Sequence, residues 1–237
     1  MAKLQTMPPI SISQDELASF GETWRTNGRR LSRTPPNSSS QLGNLFDSAV
    51  GQALSVMLGG IPIVKPTSTA LTAATECVEV GPVRIIGGVR PQNFDAGYRP
   101  DGVRFAFDSK TLNDFESVKK NWQNMINDLA TEATTVHSRF PHALVAFMVI
   151  IPTPCLVEPQ RSAMIETLER LSRRVKVEDA DYLGEAISLV LWNPDDGSID
   201  PATPFPDSAL RIERFSSTIE SAYVSRYKGL PPHAVAE

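Results

Sequence analysis

This chain reads as an α/β protein with a mixed central sheet flanked by helices. Ala143 to Ile151 is an unbroken apolar run, the pattern of a strand covered on both faces. Short β-branched and aromatic stretches, separated by Gly- and Pro-containing turns, precede it. Between and around them lie segments with apolar residues at helical spacing, so the expected order is α–βββ–α–β–α–β in one domain.

Taken in order, Ser13-Gln14-Asp15-Glu16 has the form of a capping box, and Leu17, Phe20 and Trp24 follow on one helical face to about Arg30. Thr34-Pro35-Pro36-Asn37-Ser38-Ser39-Ser40 breaks that helix as a flexible linker. A second helix is expected from about Gln41 to Leu58, ended by Gly59-Gly60. Residues 61–76, rich in Thr, Ala and Pro, are not assigned. Val78 to Val80, Val83 to Ile86 and Val103 to Phe107 read as strands. Asn113 or Asp114 caps a third helix to about His137, with Phe115, Val118, Trp122, Met125, Ile126 and Leu129 as its apolar stripe. After the buried strand come a helix near Pro159 to Arg174, a strand at Ala186 to Trp192, and a helix at Ser208 to Tyr227. The tail after Gly229 is expected to be loose. The domain division is 1–39 helix and linker, 40–152 core, 153–228 additional elements and 229–237 tail.

At 237 residues the chain is long enough for one large core. Its 41% apolar and 21% charged residues are ordinary for a globular protein. No apolar run approaches the ~18 residues a membrane span needs, and Met1-Ala2-Lys3-Leu4 lacks a secretory pattern, so a cytoplasmic location is expected. Cys77 and Cys155 match no zinc-ligand spacing and read as buried small side chains. The net charge of −4 excludes a wholesale basic nucleic-acid coat. Arginine nevertheless outnumbers lysine sixteen to seven, which favours bidentate phosphate contacts. His137, His142 and His233 have no metal-ligand spacing, and Gly87-Gly88 lacks the Gly-Lys-Ser/Thr that a phosphate loop requires.

The chemistry concentrates in Tyr98 to Lys110. Alternate residues of a strand share a face, so Asp108 and Lys110 project together while Ser109 faces away. Two carboxylates and an ammonium gathered there suit a divalent cation and the orientation of a water for phosphodiester hydrolysis. An acid two residues before a lysine is expected about once by chance in this composition, so the triplet gains its weight from context. Pro100-Asp101 lies just upstream, Phe105-Ala106-Phe107 supplies the apolar approach, and a capped helix and a buried strand follow.

With Pro100-Asp101 and Asp108-Ser109-Lys110, the chain resembles the PD-(D/E)XK nuclease superfamily, to which most type II restriction endonucleases belong. The resemblance covers about residues 40–152 and implies a restriction-endonuclease-like αβββαβ core. It implies Mg2+ bound by Asp101 and Asp108, with Lys110 catalytic. The Ser109 carbonyl is a further candidate metal ligand, and Asp47 in Gly43-Asn44-Leu45-Phe46-Asp47 occupies the kind of place where the resemblance implies another acid, on the preceding helix. A straight strand would separate Asp101 from Asp108 by about 23 Å, so the chain must reverse between them. A turn near Arg104-Phe105 sets Asp101 across from Asp108. The alternative first acid is Asp95, with Ala96-Gly97 and Pro100 to Gly102 making a longer turn.

The expected partner is double-stranded DNA, cut by a homodimer whose two-fold symmetry matches a palindromic site. Arg99 and Arg104 flank the acids, and Lys119 and Lys120 lie on the following helix; these four are the candidate DNA contacts. Arg25, Arg29, Arg30 and Arg33 form a candidate gripping arm, and Arg170, Arg173, Arg174 and Lys176 a second basic cluster. Gln123-Asn124-Met125-Ile126-Asn127 lacks the glutamine-and-tyrosine signature of the end-processing exonuclease branch, which favours a site-specific endonuclease with a cognate DNA methyltransferase. A nuclease of low sequence specificity in repair or defence, and a catalytically inactive DNA-binding or assembly protein of the same fold, are the alternatives.

Overall fold

The buried strand at the centre of the sequence organises the molecule. A computed structural model describes residues 3–67 and 72–233. The elements are α1 (Gln14–Thr26), α2 (Ser39–Met57), β1 (Ile63–Val64), β2 (Val78–Ile86), β3 (Pro91–Tyr98), β4 (Phe105–Thr111), α3 (Phe115–His137), β5 (Leu144–Pro152), α4 (Gln160–Leu171), β6 (Ala186–Trp192) and α5 (Ile212–Tyr227). The six strands form one mixed sheet in chain order. β2, β3 and β4 make an antiparallel meander, while β4, β5 and β6 run parallel through the crossover helices α3 and α4.

Local chemistry starts the helices as expected. The Ser13 hydroxyl accepts from the Glu16 N–H, Ser38 and Gln41 form a reciprocal capping box, and the Asp114 carboxylate accepts from the Ser117 N–H. Along β4 the side chains divide between two layers. Phe107 meets Phe215 of α5 edge-on, and Ser109 approaches Gly43 of α2, so α2 and α5 cover one face. Lys110 reaches Glu132 of α3 on the other. All nine residues of β5 and all seven of β6 are buried. Each large apolar side chain buried there contributes roughly 1.5–3 kcal/mol, far more than an exposed ion pair, so the parallel block anchors the fold.

The meander differs in detail from the sequence expectation. Val78 to Val80 and Val83 to Ile86 are one strand, interrupted by a bulge at Gly81-Pro82 where the register with β3 shifts. Gly81 has φ +125°, which favours glycine. The second strand of the meander is Pro91–Tyr98, which lacks strand-like composition; pairing on both edges imposes the strand. Close packing of α2 on β2 depends on Gly51, where a Cβ would lie 2.3 Å from Val80 Cγ2.

Cys77 and Cys155 are buried and free, as their spacing implied. Other expectations are revised. The start of the tail docks: His233 is buried and its Nε2 lies 2.7 Å from the Tyr223 hydroxyl. His137 is buried against Glu185 at 3.2 Å. The linker before α2 is tied down by the Asn37 amide, which donates to Ser19 and Thr23. Arg174 of the second basic cluster is also buried, paired with Glu185 at 3.1 Å. Among the described residues no helix is long and apolar enough to cross a membrane.

Candidate active site

The β3–β4 register decides which acids meet. Tyr98 pairs with Phe105, Gly97 with Ala106 and Ala96 with Phe107. One step further, where the strands part, Asp95 comes opposite Asp108. Their carboxyls come into hydrogen-bonding contact. The Ser109 N–H and hydroxyl both donate to Asp95 Oδ2, at 2.9 and 3.2 Å. From α2, Asp47 comes to this junction beside Asp95 and Ser109. Asp47 is only 5% exposed, and its Oδ1 has no hydrogen-bond partner.

Asp101 does not join them. Arg99 to Arg104 form the β3–β4 connection, closed by the Arg104 N–H donating to the Tyr98 carbonyl at 3.0 Å. Pro100-Asp101-Gly102 is a turn, with Gly102 at φ +128°. Asp108 lies three residues beyond the Tyr98–Phe105 pair, about 10 Å along the strand, whereas Asp101 lies past the opposite end. The convergence of Asp101 with Asp108 is therefore corrected to convergence of Asp95 with Asp108. Asp101 instead pairs with Arg104, whose guanidinium stacks on Tyr227 at 4.6 Å.

The arginines expected at the DNA are also redirected. Arg99 is buried and makes two 2.6 Å bonds to the buried Glu79 carboxylate. Arg104 is buried too, held by Asp101 and the Pro231 carbonyl. Neither guanidinium is free for a phosphate. Lys119 and Lys120 stay on the surface of α3, and Lys120 pairs with Glu116 at 3.0 Å.

Across the sheet from Asp47, Lys110 forms ion pairs with Asp108 and with Glu132 of α3, the latter at 2.8 Å. The Gln92 amide donates to the same Glu132 oxygen at 3.0 Å, and Glu132 Oε2 is buried without a partner. Glu132 was not foreseen, because nothing local to α3 marks a glutamate 22 positions from Lys110 as its partner.

Charge crowding follows from this geometry. Burial first, then the contact with Asp108 and its charge, push the Asp95 carboxyl above the ordinary range. Burial and the Asp95 charge do the same to Asp47. Burial lifts Asp108 to about 7, although Asp95 and Lys110 oppose it. Lys110 goes the other way: burial would lower it, but Asp108 and Glu132 hold it firmly charged. Asp47 and Asp95 open into a cleft of about 370 Å³, also lined by Asn44, Ser48, Lys65, Val80, Gly81, Pro82, Asn93 and Phe94.

Among the described residues no three His, Cys, Asp or Glu side chains are placed as a ready metal-holding group. The donor chemistry nevertheless fits a hard cation. Mg2+ takes oxygen ligands and is bound through one or two carboxylates while keeping several waters. The orphaned, buried Asp47 Oδ1 is an oxygen that such an ion would satisfy. Comparisons with family models, curated proteins and solved structures found no match.

Proposed function

We propose that this protein is a Mg2+-dependent endonuclease that hydrolyses phosphodiester bonds of double-stranded DNA, working as a homodimeric type II restriction enzyme on a short site. One observation carries the reading: the meander parts where Asp95 faces Asp108, with Asp47 entering from the helix before it and Lys110 two residues on. The α2–β2–β3–β4–α3–β5 order supports a restriction-endonuclease-like core.

In this mechanism Asp95 and Asp108 would hold the cation and Asp47 would complete the set. The cation, when bound, supplies Lewis-acid stabilisation of the phosphate charge and a more acidic water. Ser109 fixes the Asp95 carboxylate through its N–H and hydroxyl. Lys110, kept charged by Glu132, would orient the attacking water from the Asp108 side of the site. Lys119 and Lys120 offer phosphate contacts from α3.

Digestion of plasmid and phage DNA with Mg2+, followed by mapping of the ends, tests the reading. Discrete fragments are expected; nicks or smears would point to a nuclease of low specificity. Asp108→Ala and Lys110→Ala are expected to abolish cleavage in folded protein, and near-wild-type cutting by either would remove that residue from the mechanism. A catalytically silent DNA-binding or assembly protein is the second reading, favoured by the engagement of Lys110 with two carboxylates. Tight, salt-sensitive DNA binding without cleavage in Mg2+ or Mn2+ would select it.

A further inference from the structure

We propose that Lys65 is a phosphate anchor, holding a backbone phosphate of bound nucleic acid over the Asp47–Asp95 cleft. The inference rests on the nuclease reading and assigns the cleft a ligand-binding residue outside the Asp-Ser-Lys motif.

The cleft combines two kinds of feature. Its floor carries Asp47, 95% buried with Oδ1 unpartnered, and Asp95 beside it. Its rim carries Lys65, exposed and in no ion pair among the described residues. Lys110 cannot take this part, since its ammonium lies on the α3 side between Asp108 and Glu132. Lys65 is thus the cation lining a cleft otherwise made of two carboxylates, neutral polar groups and apolar side chains.

Backbone geometry sets Lys65 there. Ile63 and Val64 pair in parallel with Val78 and Glu79, which delivers the next residue to the bulge of β2. At that bulge a Cβ on Gly81 would lie 3.4 Å from Lys65 Cγ, so the lysine stem lies along the glycine on the cleft wall. An ammonium at the rim suits a phosphodiester, and the carboxylates on the floor would hold the cation that offsets their charge. Asn44, Ser48 and Asn93 line the same cleft and offer neutral donors.

The test is binding of a DNA duplex with Ca2+ in place of Mg2+, measured against salt for the wild type, Lys65→Ala, Lys65→Arg and Lys228→Ala, the last a control lysine at the end of α5. Loss of one phosphate contact weakens binding roughly tenfold near 0.1 M salt and lowers the salt slope by about one. That result for Lys65→Ala, with Lys65→Arg near wild type and Lys228→Ala unchanged, supports the anchor. A wild type that binds and cleaves, with Lys65→Ala matching it in affinity and slope, overturns the anchor alone. A wild type that neither binds nor cleaves overturns the nuclease reading and the anchor with it.

Discussion

Replacing Asp95 and Asp101 separately by asparagine distinguishes the register-based site from one built on the Pro-Asp pair. Asp95 sits opposite Asp108, with two donors from Ser109 on one of its oxygens. On the proposed mechanism, removing its charge would delete one carboxylate from the cation. At ~4 Å and an effective dielectric near 20, a unit charge pair is worth about 4 kcal/mol. At 1.36 kcal/mol per decade, that is about a thousandfold in rate. Asp101 contacts Arg104 in the turn, and its side chain is 59% exposed. Because the Arg104 guanidinium it pairs with is buried, losing the Asp101 charge costs roughly 1.5–3 kcal/mol of stability but leaves the cleft untouched. Single-turnover cleavage of supercoiled plasmid in Mg2+, on proteins with matched circular dichroism, reads both variants. Asp95→Asn should fall about a thousandfold while Asp101→Asn stays near wild type. The reverse order would refute the pairing of Asp95 with Asp108 as the functional pair.

Two further outcomes concern stability. Asp47 carries a buried oxygen with no partner beside the Asp95 charge, so Asp47→Asn should stabilise the metal-free protein by about 1 kcal/mol; a lowered thermal midpoint would show that its charge is compensated. Burial by itself would raise the Glu185 carboxyl, but the His137 hydrogen bond, the His137 and Arg226 charges and the Val145 N–H hold it below its ordinary 4.5. A depressed acid stabilises fully above its unfolded value, and that stability is lost as pH falls through the folded one. Glu185→Gln should therefore flatten the loss of stability below about pH 4.5 in thermal melts, and an unchanged acid limb would contradict this.

The strongly periodic elements were legible because their burial follows from local pattern. β5 and β6 lie where continuous apolar runs put them, and α3 begins at its Asp114 cap. β3 was not, because Gln92, Asn93, Asp95 and Gly97 are poor strand formers made extended by their neighbours on either side. The site was half legible. Asp108, Lys110, Ser109 and Asp47 do gather around the end of the β3–β4 pairing, yet the Pro-Asp pair drew attention to Asp101. Pro100-Asp101-Gly102 is itself a turn signal. Reading it as one places Asp95 across from Asp108 by counting back along the hairpin. Arg99 and Arg104 looked like phosphate contacts, and only the fold reveals Glu79 and Asp101 as their partners. Lys65 lies far in sequence from Asp95, with which it lines the cleft, and Glu132 from Lys110, its ion-pair partner, beyond the reach of any local pattern.

Electron paramagnetic resonance of free Mn2+ titrated against the wild type and Asp95→Asn tests the shared-cation claim without requiring a cleavable DNA site. One saturable site per chain is expected in the wild type, weakened roughly a hundredfold or more when the Asp95 charge is removed. Equal binding by the two proteins, or none by the wild type, would contradict a cation held between Asp95, Asp108 and Asp47.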